Sequence, residues 1–504
     1  MQHKKLPVTF ADRRGALLLT SALGVAGLSW ISGPGSFDFI DGSEFVICGR
    51  ALQLPHPPGY PLYIFSLRSF SLFAPCAYLD YSCFRIFSSL VAAGAAIAAW
   101  AAARSFRCTW KGSAAGALLI MTSGAVMGQM NLVEVHGFAI MLVLWAVALR
   151  NSTAGPYLYS LALFGGHPVS LFLLPSALSG RYGQRWVLMA LLPPTLLLFI
   201  PLRSAFGALS HYSSPESASA VFRYLTLYGS RMSAPSTRGL EALASETGVL
   251  SLAAMALLAL CSRRWSWKLF LSIAGGLLFV SSYSIPDTAS LLWIVVLPLG
   301  LWATIGLSRL LEGGTPGRAS AALLLVAAAV SGVSASWRRG DDFASVAASD
   351  YLRGAGPAAA FVTTGMSTFH TAYLLEVMDR RPDILPMDTH RCFFRIYPPA
   401  VIPPALGGRR VYATRGWEFR ELGLSGLLFT ADSLPPPDWE RFDVFSYSGN
   451  VHDGFARDEM AEMWARRGVQ EISPDAREMC RERAMEWAET DITRERIGNI
   501  FEMY

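Results

Sequence analysis

Carboxylates and a histidine crowd one short stretch, FDFIDGSEFVICGRALQLPHPPGYPLYIF, which covers residues 37–65. Asp38, Asp41 and Glu44 come first, and His56 follows inside the proline-rich segment HPPGYP. A carboxylate or an imidazole within hydrogen-bond reach of a hydroxyl group can take its proton as a general base. The residue types and their spacing therefore indicate acid–base chemistry, with the prolines holding the loop in place.

Three further polar residues lie at turns between apolar runs. Glu134 and His136 occur in NLVEVHGF, and Asp287 occurs in YSIPDTASLLW. If these turns and the DGSEF loop face the same side of a membrane, their side chains can meet in one cleft near the bilayer surface. The pattern predicts such a cleft and not a pore.

Each of these residues also has a plain structural interpretation. DGSE resembles a helix-capping pattern in which Asp41 or Ser43 accepts from free backbone N–H groups. His56 would then be a loop residue, and His167 a polar residue that fills a helix kink. The joint occurrence of the residues favours the functional interpretation.

The composition shows which elements must position these side chains. The 504 residues are 52% hydrophobic and only 16% charged, whereas soluble domains carry about 25% charged residues. Residues 1–336 contain 22 of the 42 basic and 11 of the 37 acidic side chains. Residues 337–504 contain the rest, so the chain has a membrane part and a polar part.

The apolar runs of the first part are long enough to cross a bilayer, which takes about 20 residues. The absence of a small-residue cleavage site after the first run indicates a retained helix and not a signal peptide. We predict spans near residues 15–32, 86–103, 112–130, 135–149, 156–178, 186–202, 248–261, 269–285, 290–308 and 319–336.

Basic residues concentrate in cytoplasmic loops, and this rule gives the orientation. Lys4, Lys5, Arg13 and Arg14 place the N-terminus in the cytoplasm. The DGSEF loop and residues 337–504 then lie on the extracytoplasmic side. An arginine-rich, lysine-free C-terminal part indicates a bacterial source, so we expect the inner membrane with a periplasmic C-terminal domain.

The segment 156–178 does not fit this alternation, because basic residues on both sides of it belong to the cytoplasm. Gly165, Gly166, His167 and Pro168 interrupt it, and glycine and proline permit a sharp change in backbone direction. The interruption predicts a re-entrant pair of short helices. A single kinked span is the alternative.

Residues 337–504 contain no long apolar run and are predicted to form a small soluble α/β or α+β domain. AAAFVTTG and RRVYATRG have the composition of short strands, whereas FARDEMAEMWARRGV and residues 474–504 have helical apolar spacing. The tracts YPPAVIPPALGG and SLPPPDWERF are predicted loops.

The sequence excludes several kinds of chemistry. It has no phosphate-binding glycine loop, dinucleotide fingerprint or nucleophile elbow. No close pair among the seven cysteines has the spacing of zinc ligands, although Cys76 and Cys83 could form a disulfide in an oxidising compartment. We expect no required cofactor and no nucleic-acid partner.

The stretch FIDGSEFVICGRALQLPHPPGYPLYIFSLRSF resembles the start of a large family of multi-pass membrane proteins that includes an animal protein O-mannosyltransferase. The family pattern is an Asp, two small residues and a Glu, followed by His-Pro-Pro-Gly-Tyr-Pro-Leu. Gly42 and Ser43 stand where the family usually has Ser-Gly. Weaker similarities continue in order to about residue 390, in NLVEVHGF, FGGHPVSLFLLP, FIPLRSAFG, IPDTASLLWIVVLP and VMDRRPDILPMD.

The resemblance implies a glycosyltransferase of the GT-C class, with about 10–12 transmembrane helices and a polyprenyl-phosphate-linked sugar as donor. Such enzymes place a catalytic acid in the first outward loop, and here that role falls on Asp41, with Glu44 as alternative or partner. The acceptor is then a protein or a cell-surface glycan, and mannose is one candidate sugar.

The leaving lipid phosphate needs positively charged or hydrogen-bonding partners. Arg203 in PLRSAFG is the first candidate, with His56 and His167 as donors to phosphate or sugar oxygens. Supporting residues, in the same interpretation, are Glu134, Tyr60 and Asp287. We assign no metal-binding residues, although the acids could hold a divalent ion if the reaction uses one.

Two other classes of function remain open at this point. A membrane transporter or a flippase for lipid-linked sugars would also contain Gly-Pro breaks and ionisable residues. The acids lie at predicted helix ends, however, and no inverted repeat is visible in the sequence. A non-catalytic assembly protein is the third interpretation.

Overall fold

The structure is a computed structural model of the whole chain. It describes residues 13–38, 41–74, 79–177, 191–207, 217, 219–222, 234–262, 266–283, 288–389, 394, 405–414, 423–430, 438–449, 451 and 453–503. All structural statements below concern these residues. Cys76, Asp287 and the greater part of both proline-rich tracts lie outside them.

Helices dominate the first two thirds of the chain, as the apolar runs predict. Their order is α1 (Arg13–Ser32), α2 (Gly42–Ala51), α3 (Pro61–Phe73), α4 (Tyr81–Ser105), α5 (Trp110–Met121), α6 (Gly124–Met130), α7 (Val135–Ala148), α8 (Ala154–Leu161), α9 (Leu174–Ala177), α10 (Phe199–Ala205), α11 (Arg238–Thr247), α12 (Val249–Cys261), α13 (Trp267–Ser282), α14 (Trp293–Glu312) and α15 (Thr315–Ala335).

Within the described ranges, four helices are long and apolar enough to cross a membrane: α1, α4, α14 with its preceding turn, and α15. They coincide with four of the predicted spans, at residues 15–32, 86–103, 290–308 and 319–336. Helices α5 and α6 form a pair bent by 72°, and α11 and α12 a pair bent by 96°. The protein is therefore a multi-pass membrane protein.

The remaining predicted spans are shorter or interrupted. Helices α7 and α13 are apolar but have fewer than 18 residues. The predicted span at 186–202 lies partly outside the described residues, and its described end is a 3₁₀ turn, Pro193–Leu198, that leads into α10. The structure thus has more broken helices than the sequence pattern predicts.

The predicted interruption of the segment 156–178 is confirmed. Helix α8 continues into a π-helical turn, Ala162–Gly166, and then stops, because His167 has an extended conformation and Pro168 begins a 3₁₀ turn. A side chain at Gly165 would come within 2.5 Å of the Leu62 Cβ. The glycine therefore allows this segment to pack closely on α3.

The C-terminal part contains the predicted small sheet and helices. After α16 (Phe343–Gly354) come β1 (Ala360–Thr363), α17 (Met366–Ala372), β2 (Leu385–Asp388), β3 (Ala405–Leu406), β4 (Arg409–Ala413), β5 (Gly423–Ser425), β6 (Leu428–Thr430), α18 (Gly454–Gln470), α19 (Pro474–Trp487) and α20 (Asp491–Met503). The strand order is β2-β1-β4-β6-β5, with β3 added to β4.

The sheet has two kinds of pairing. Strand β1 is parallel to β2 and to β4, whereas β6 is antiparallel to β4 and β5. Both predicted strands, β1 and β4, lie at its centre. The mixed pairing and the flanking helices agree with the expected α/β or α+β fold.

The C-terminal part packs directly on the loop that follows α1. The ring of Phe37 stacks on His370 of α17, with centroids 5.9 Å apart, and also contacts Tyr373. The Tyr373 hydroxyl accepts a hydrogen bond of 2.8 Å from the backbone N–H of Tyr81, at the start of α4. The two parts of the chain therefore meet at the candidate site.

Candidate active site

The loop between α1 and α2 is shaped by a buried carboxylate. Asp38 is 6% exposed and accepts hydrogen bonds from the Gly42 backbone N–H, at 3.2 Å, and from the Tyr81 hydroxyl. The Tyr81 oxygen in turn accepts from the Val133 backbone N–H at 3.3 Å. Asp38 thus joins the starts of α2 and α4 and the turn before α7.

Gly42 explains the order of the two small residues in DGSE. A Cβ at this position would overlap the Asp38 carboxylate and would lie 2.7 Å from the Tyr81 ring. A serine here would force one of these groups to move. In this chain the glycine therefore belongs at position 42, and the buried Ser43 side chain follows it.

Asp41 does not act as a helix cap, although it occupies the N-cap position of α2. Its side chain accepts no hydrogen bond from the backbone N–H groups of the first turn of α2. Its own backbone N–H instead donates to Glu134 Oε1 at 3.3 Å, and Glu134 is 4% exposed. The main chain of Asp41 is therefore fixed while its carboxylate is left available.

The Asp41 carboxylate is partly open to solvent, with 23% of the side chain exposed. Its ionisable neighbour is His56, whose Nε2 lies 3.6 Å from Asp41 Oδ2. Burial raises the pKa of Asp41 to about 7; His56 lowers it, and the nearby acids Glu44, Asp38 and Asp453 raise it. A carboxylate with this pKa can both take and release a proton near neutral pH.

Glu44, unlike Asp41, has a buried and hydrogen-bonded carboxylate. Its side chain is 1% exposed, and both oxygens are taken by His56: Oε1 accepts from the backbone N–H at 2.6 Å, and Oε2 lies 2.6 Å from Nδ1. A carboxylate can only accept, so Nδ1 carries a proton. Glu44 therefore orients His56 and fixes its tautomer.

The HPPGYP segment completes this arrangement. The backbone N–H of Gly59 donates to the His56 carbonyl at 3.0 Å, and Tyr60 has a left-handed conformation, with φ at 41°, just before α3 begins at Pro61. This turn brings the Tyr60 hydroxyl to 2.9 Å from His56 Nε2. When the ring is neutral, Nε2 is its acceptor nitrogen and the Tyr60 hydroxyl donates to it.

His167 lies behind Tyr60. It is 1% exposed, its ring stacks on Tyr60 with centroids 5.5 Å apart, and its Nδ1 accepts from the Val169 backbone N–H at 3.2 Å. The ring of His136, which accepts from Trp293 Nε1 at 3.3 Å, is 4.4 Å from the His167 ring. The contacts favour a supporting role for His167 over contact with the donor.

Arg203, the predicted phosphate partner, contacts the other end of α2. Its Nε donates to the Leu52 carbonyl at 2.7 Å, and Leu52 is the C-cap residue of α2. The 10 residues of this helix span roughly 15 Å. Arg203 is thus separated from Asp41 by the length of α2. The last predicted residue, Asp287, lies outside the described residues.

Asp41, Glu44 and His56 offer three ligand atoms that lie within 4.8 Å of one another. A divalent ion would fit this set only in part. Both Glu44 oxygens already accept from His56, and an ion on Nε2 would displace the Tyr60 hydroxyl. The set is thus a complete hydrogen-bond network in which only the Asp41 carboxylate is available to a cation.

Sequence reasoning missed Asp453. This residue is 8% exposed and caps α18, since its Oδ1 accepts from the Ala456 backbone N–H at 3.0 Å. Burial raises its pKa to about 6, and Arg338 lowers it. The Asp-Gly-Phe-Ala pattern indicates a helix start, but no local signal places it near Asp41. Only the packing of the C-terminal part does so.

Cys83 is disulfide-bonded, in agreement with the oxidising compartment that the sequence predicts for this side of the membrane. The partner expected from the sequence, Cys76, lies outside the described residues. Cys48, Cys108, Cys261 and Cys480 are not in disulfides.

Comparison with known proteins supports the resemblance over the first part of the chain. Residues 41–153 match the description "Protein O-mannosyl-transferase TMEM260 N-terminal domain". This region contains Asp41, Glu44, His56, Tyr60 and Glu134. Among curated protein sequences, none matches significantly.

A solved structure is also similar to this chain. It is the crystal structure of ArnT from Cupriavidus metallidurans bound to undecaprenyl phosphate, with a TM-score of 0.49 and 13% sequence identity. The similarity covers 75% of this chain and 90% of that chain. By sequence, residues 41–153 of this membrane protein are similar to the N-terminal domain of the TMEM260 family of protein O-mannosyl-transferases.

Proposed function

We propose that this protein is a membrane glycosyltransferase that moves a sugar from a polyprenyl-phosphate-linked donor to a hydroxyl group of a protein or cell-surface glycan. The reaction takes place on the extracytoplasmic side, where the positive-inside rule puts the loop between α1 and α2. The matched family is named for O-mannosyl transfer, so mannose is the first sugar to test.

The observation that carries the proposal is the state of Asp41. Its main chain is held by Glu134, its side chain makes no capping bond, and its carboxylate lies beside His56 at the start of α2. A residue that served only to begin the helix would use its side-chain oxygen for the free N–H groups. An available carboxylate with a pKa of about 7 is suited to take a proton from a hydroxyl group.

The reaction is a single displacement. As Asp41 takes the proton of the acceptor hydroxyl, the acceptor oxygen forms a bond to the anomeric carbon of the sugar. The bond from that carbon to the phosphate oxygen breaks, and the polyprenyl phosphate leaves with the electron pair. One displacement inverts the configuration of the anomeric carbon, because the acceptor attacks opposite the leaving group.

The residues around Asp41 prepare it for this step. Glu44 holds the imidazole of His56, and Tyr60 holds its other nitrogen. His56 Nε2 then stays 3.6 Å from the Asp41 carboxylate, where the imidazole, when protonated, stabilises the charged form of Asp41. Glu44 is thus a positioning residue, and Asp41 is the proposed base.

The charge of the leaving phosphate must be offset by donors near the anomeric carbon. Arg203, His56 and His167 remain the candidates from the sequence. Among them, His56 lies closest to Asp41, Arg203 binds the far end of α2, and His167 is covered by Tyr60. His56 is therefore the first of the three to test, and it would donate from Nε2 in its protonated form because Glu44 already accepts from Nδ1.

A divalent ion, if one takes part, would bind the Asp41 carboxylate and help to offset the phosphate charge. The network of Glu44, His56 and Tyr60 is complete without it. We therefore expect transfer to continue in excess EDTA at a rate within about twofold of the untreated rate. Loss of transfer in EDTA, with recovery on adding a divalent ion, would assign Asp41 to a metal site instead.

A transporter or flippase for lipid-linked sugars is the alternative. Buried ionisable residues such as His136 in α7 and His167 in the break after α8 are a feature of that class. The acids, however, lie where α2 and α7 begin, and the C-terminal part packs on the loop that follows α1. A transferase accounts for both features, and a transporter accounts for neither.

The test is a transfer assay in membranes that contain the protein. Polyprenyl-phosphate donors with radiolabelled mannose or another hexose are added, and label is measured in the protein, glycan and lipid fractions. We expect label in a protein or glycan fraction that depends on the protein. Label that only crosses the membrane while it remains on the lipid would support the flippase instead.

A further inference from the structure

Arg338 is a buried cation at the junction of the two parts of the chain. It follows α15, its backbone N–H donates to the Ser32 carbonyl at 2.7 Å, and its side chain is 8% exposed. The neighbouring Ser336 carbonyl accepts from Asn131 Nδ2 at 2.7 Å. The ends of α1, α6 and α15 therefore meet at this residue.

The guanidinium of Arg338 is incompletely paired. Its Nε has no hydrogen-bond partner among the described residues and is buried. Its one close acid there is Glu246, with Nη2 and Oε2 separated by 3.7 Å. A buried charge is costly unless paired and hydrogen-bonded, so this geometry leaves the guanidinium without an acceptor at Nε.

Two other arginines of the chain are paired more fully than Arg338. Arg85 donates to the carbonyls of Trp30 and Pro34. Arg381 donates to three carbonyls and to both oxygens of Asp383. Arg85 and Arg381 thus each donate to two or more acceptors, whereas the side chain of Arg338 has, among the described residues, only the 3.7 Å contact with Glu246.

Arg338 is connected to the proposed base, Asp41, by electrostatic interactions through Asp453. It acts electrostatically on Asp453, and Asp453 acts on Asp38 and Asp41. On the other side, Asn131 precedes Glu134, which holds the backbone of Asp41. Arg338 therefore lies on the Asp41 side of the site, whereas Arg203 is bound to Leu52 at the far end of α2.

We propose that Arg338 binds the phosphate group of the lipid-linked donor and of the polyprenyl phosphate that leaves. This inference rests on the proposed function. The planar guanidinium with its fixed set of N–H donors matches phosphate oxygens better than a point charge does. Glu246 contacts Nη2 of the side chain, and Nε has no hydrogen-bond partner among the described residues, so Nε is the donor assigned to the phosphate.

The experiment measures binding, so it does not depend on sugar transfer. Purified full-length protein in detergent is titrated with undecaprenyl phosphate, followed by tryptophan fluorescence, and compared with Arg338→Gln, Arg338→Lys and Arg339→Gln. Arg339 is the matched control, because it is the adjacent arginine and is exposed. Undecaprenol, which lacks the phosphate, and inorganic phosphate are titrated in parallel.

We expect Arg338→Gln to weaken undecaprenyl phosphate binding by about tenfold or more, as for the loss of a charge-assisted hydrogen bond. Arg338→Lys should lie between that value and the wild type, and Arg339→Gln should change binding by less than about twofold. Undecaprenol affinity should not change in any variant. Equal undecaprenyl phosphate affinity in Arg338→Gln and the wild type would overturn the inference.

Asp453→Asn separates ligand binding from a structural role and does not depend on the folding of Arg338→Gln. Asn can still cap α18, but it removes a negative charge near the guanidinium. Phosphate binding should therefore tighten, by on the order of threefold. If Arg338 only neutralises Asp453, the affinity will be unchanged or lower, and the inference fails.

The two proposals can fail separately. If Arg338→Gln weakens lipid-phosphate binding but the wild type transfers no sugar, the phosphate site stands and the transferase does not. If the wild type transfers sugar while Arg338→Gln binds lipid phosphate normally, only the inference on Arg338 is lost. If inorganic phosphate binds as tightly as the lipid, the site takes free phosphate and the assignment to the donor is wrong.

Discussion

The start of α2 and the loop that follows α2 form two sides of one site, and their hydrogen bonding differs. On the loop side, Glu44, His56 and Tyr60 satisfy one another. On the other side, the Asp41 carboxylate has, among the residues that the structure describes, only a contact of 3.6 Å with His56. We call the Asp41 side the open side, because its carboxylate is available to react. The side of Glu44, His56 and Tyr60 is the closed side, because these residues hold one another in place.

The largest expected effect is on the open side. Asp41→Asn removes the proposed base while it preserves the size of the side chain and the backbone bond to Glu134. Transfer should fall by about 10³-fold, within the range for loss of a general base, with little change in the melting temperature. The measurement is transfer of radiolabelled sugar in membranes.

Asp80→Asn is the control for this change. Asp80 is another acid in an N-cap position, with Oδ1 accepting from the Cys83 backbone N–H at 2.9 Å, and Asn caps nearly as well. Its transfer rate should remain close to that of the wild type. If Asp41→Asn were as active as Asp80→Asn, Asp41 would not be the base.

A smaller effect is expected on the closed side. Glu44→Gln keeps an acceptor for the His56 backbone but weakens the bond to Nδ1 and frees the imidazole to turn. We expect a decrease in transfer of about 10- to 100-fold, and a loss of stability of about 1–3 kcal/mol for the disrupted buried network. Transfer and thermal unfolding are measured together.

The control here is Glu376→Gln, which alters an exposed glutamate. Both values should stay near those of the wild type. A Glu44→Gln variant that is fully stable but loses as much transfer as Asp41→Asn would reverse the roles of the two acids.

The smallest effect is expected for Tyr60, the third member of the closed side. Tyr60→Phe removes the hydroxyl that donates to His56 but retains the stacking on His167. Transfer should fall by about three- to tenfold and stability by about 1 kcal/mol, because one hydrogen bond is lost. Chemical unfolding in detergent and the transfer assay give the two values.

Tyr63→Phe provides a matched comparison. The Tyr63 hydroxyl is buried and has no hydrogen-bond partner among the described residues. Removing it should leave stability equal or slightly higher, since an unsatisfied buried polar group is costly. Equal destabilisation by both substitutions would mean that the bond from Tyr60 to His56 contributes nothing.

Much of the membrane part could be predicted from the sequence because the signals are local. Long apolar runs predict α1, α4, α14 and α15, and the Gly-Gly-His-Pro pattern predicts the break after α8. The bend of 96° between α11 and α12 was not predicted. It depends on Gly248, where φ is 84° and a side chain would come within 2.7 Å of Ser331, a contact made only in the folded chain.

The residues of the site likewise fall into those that the sequence identifies and those that only the folded structure brings together. Asp41, Glu44, His56 and Tyr60 lie in one short segment, so the sequence identifies the group. It does not show which acid is bound and which is available, because this depends on the turn that brings His56 back to Glu44. Arg338 and Asp453 could not be predicted, since they are distant in sequence and reach the site only through packing.

The pH dependence of transfer tests the central claim, that Asp41 is the base, most directly. With a pKa of about 7, Asp41 is protonated and inactive at low pH and charged at high pH. The transfer rate at saturating donor should therefore rise from about pH 5.5, pass its midpoint near pH 7 and level off by about pH 8.5. A rate that is constant over this range, or that falls as pH rises, would contradict the account.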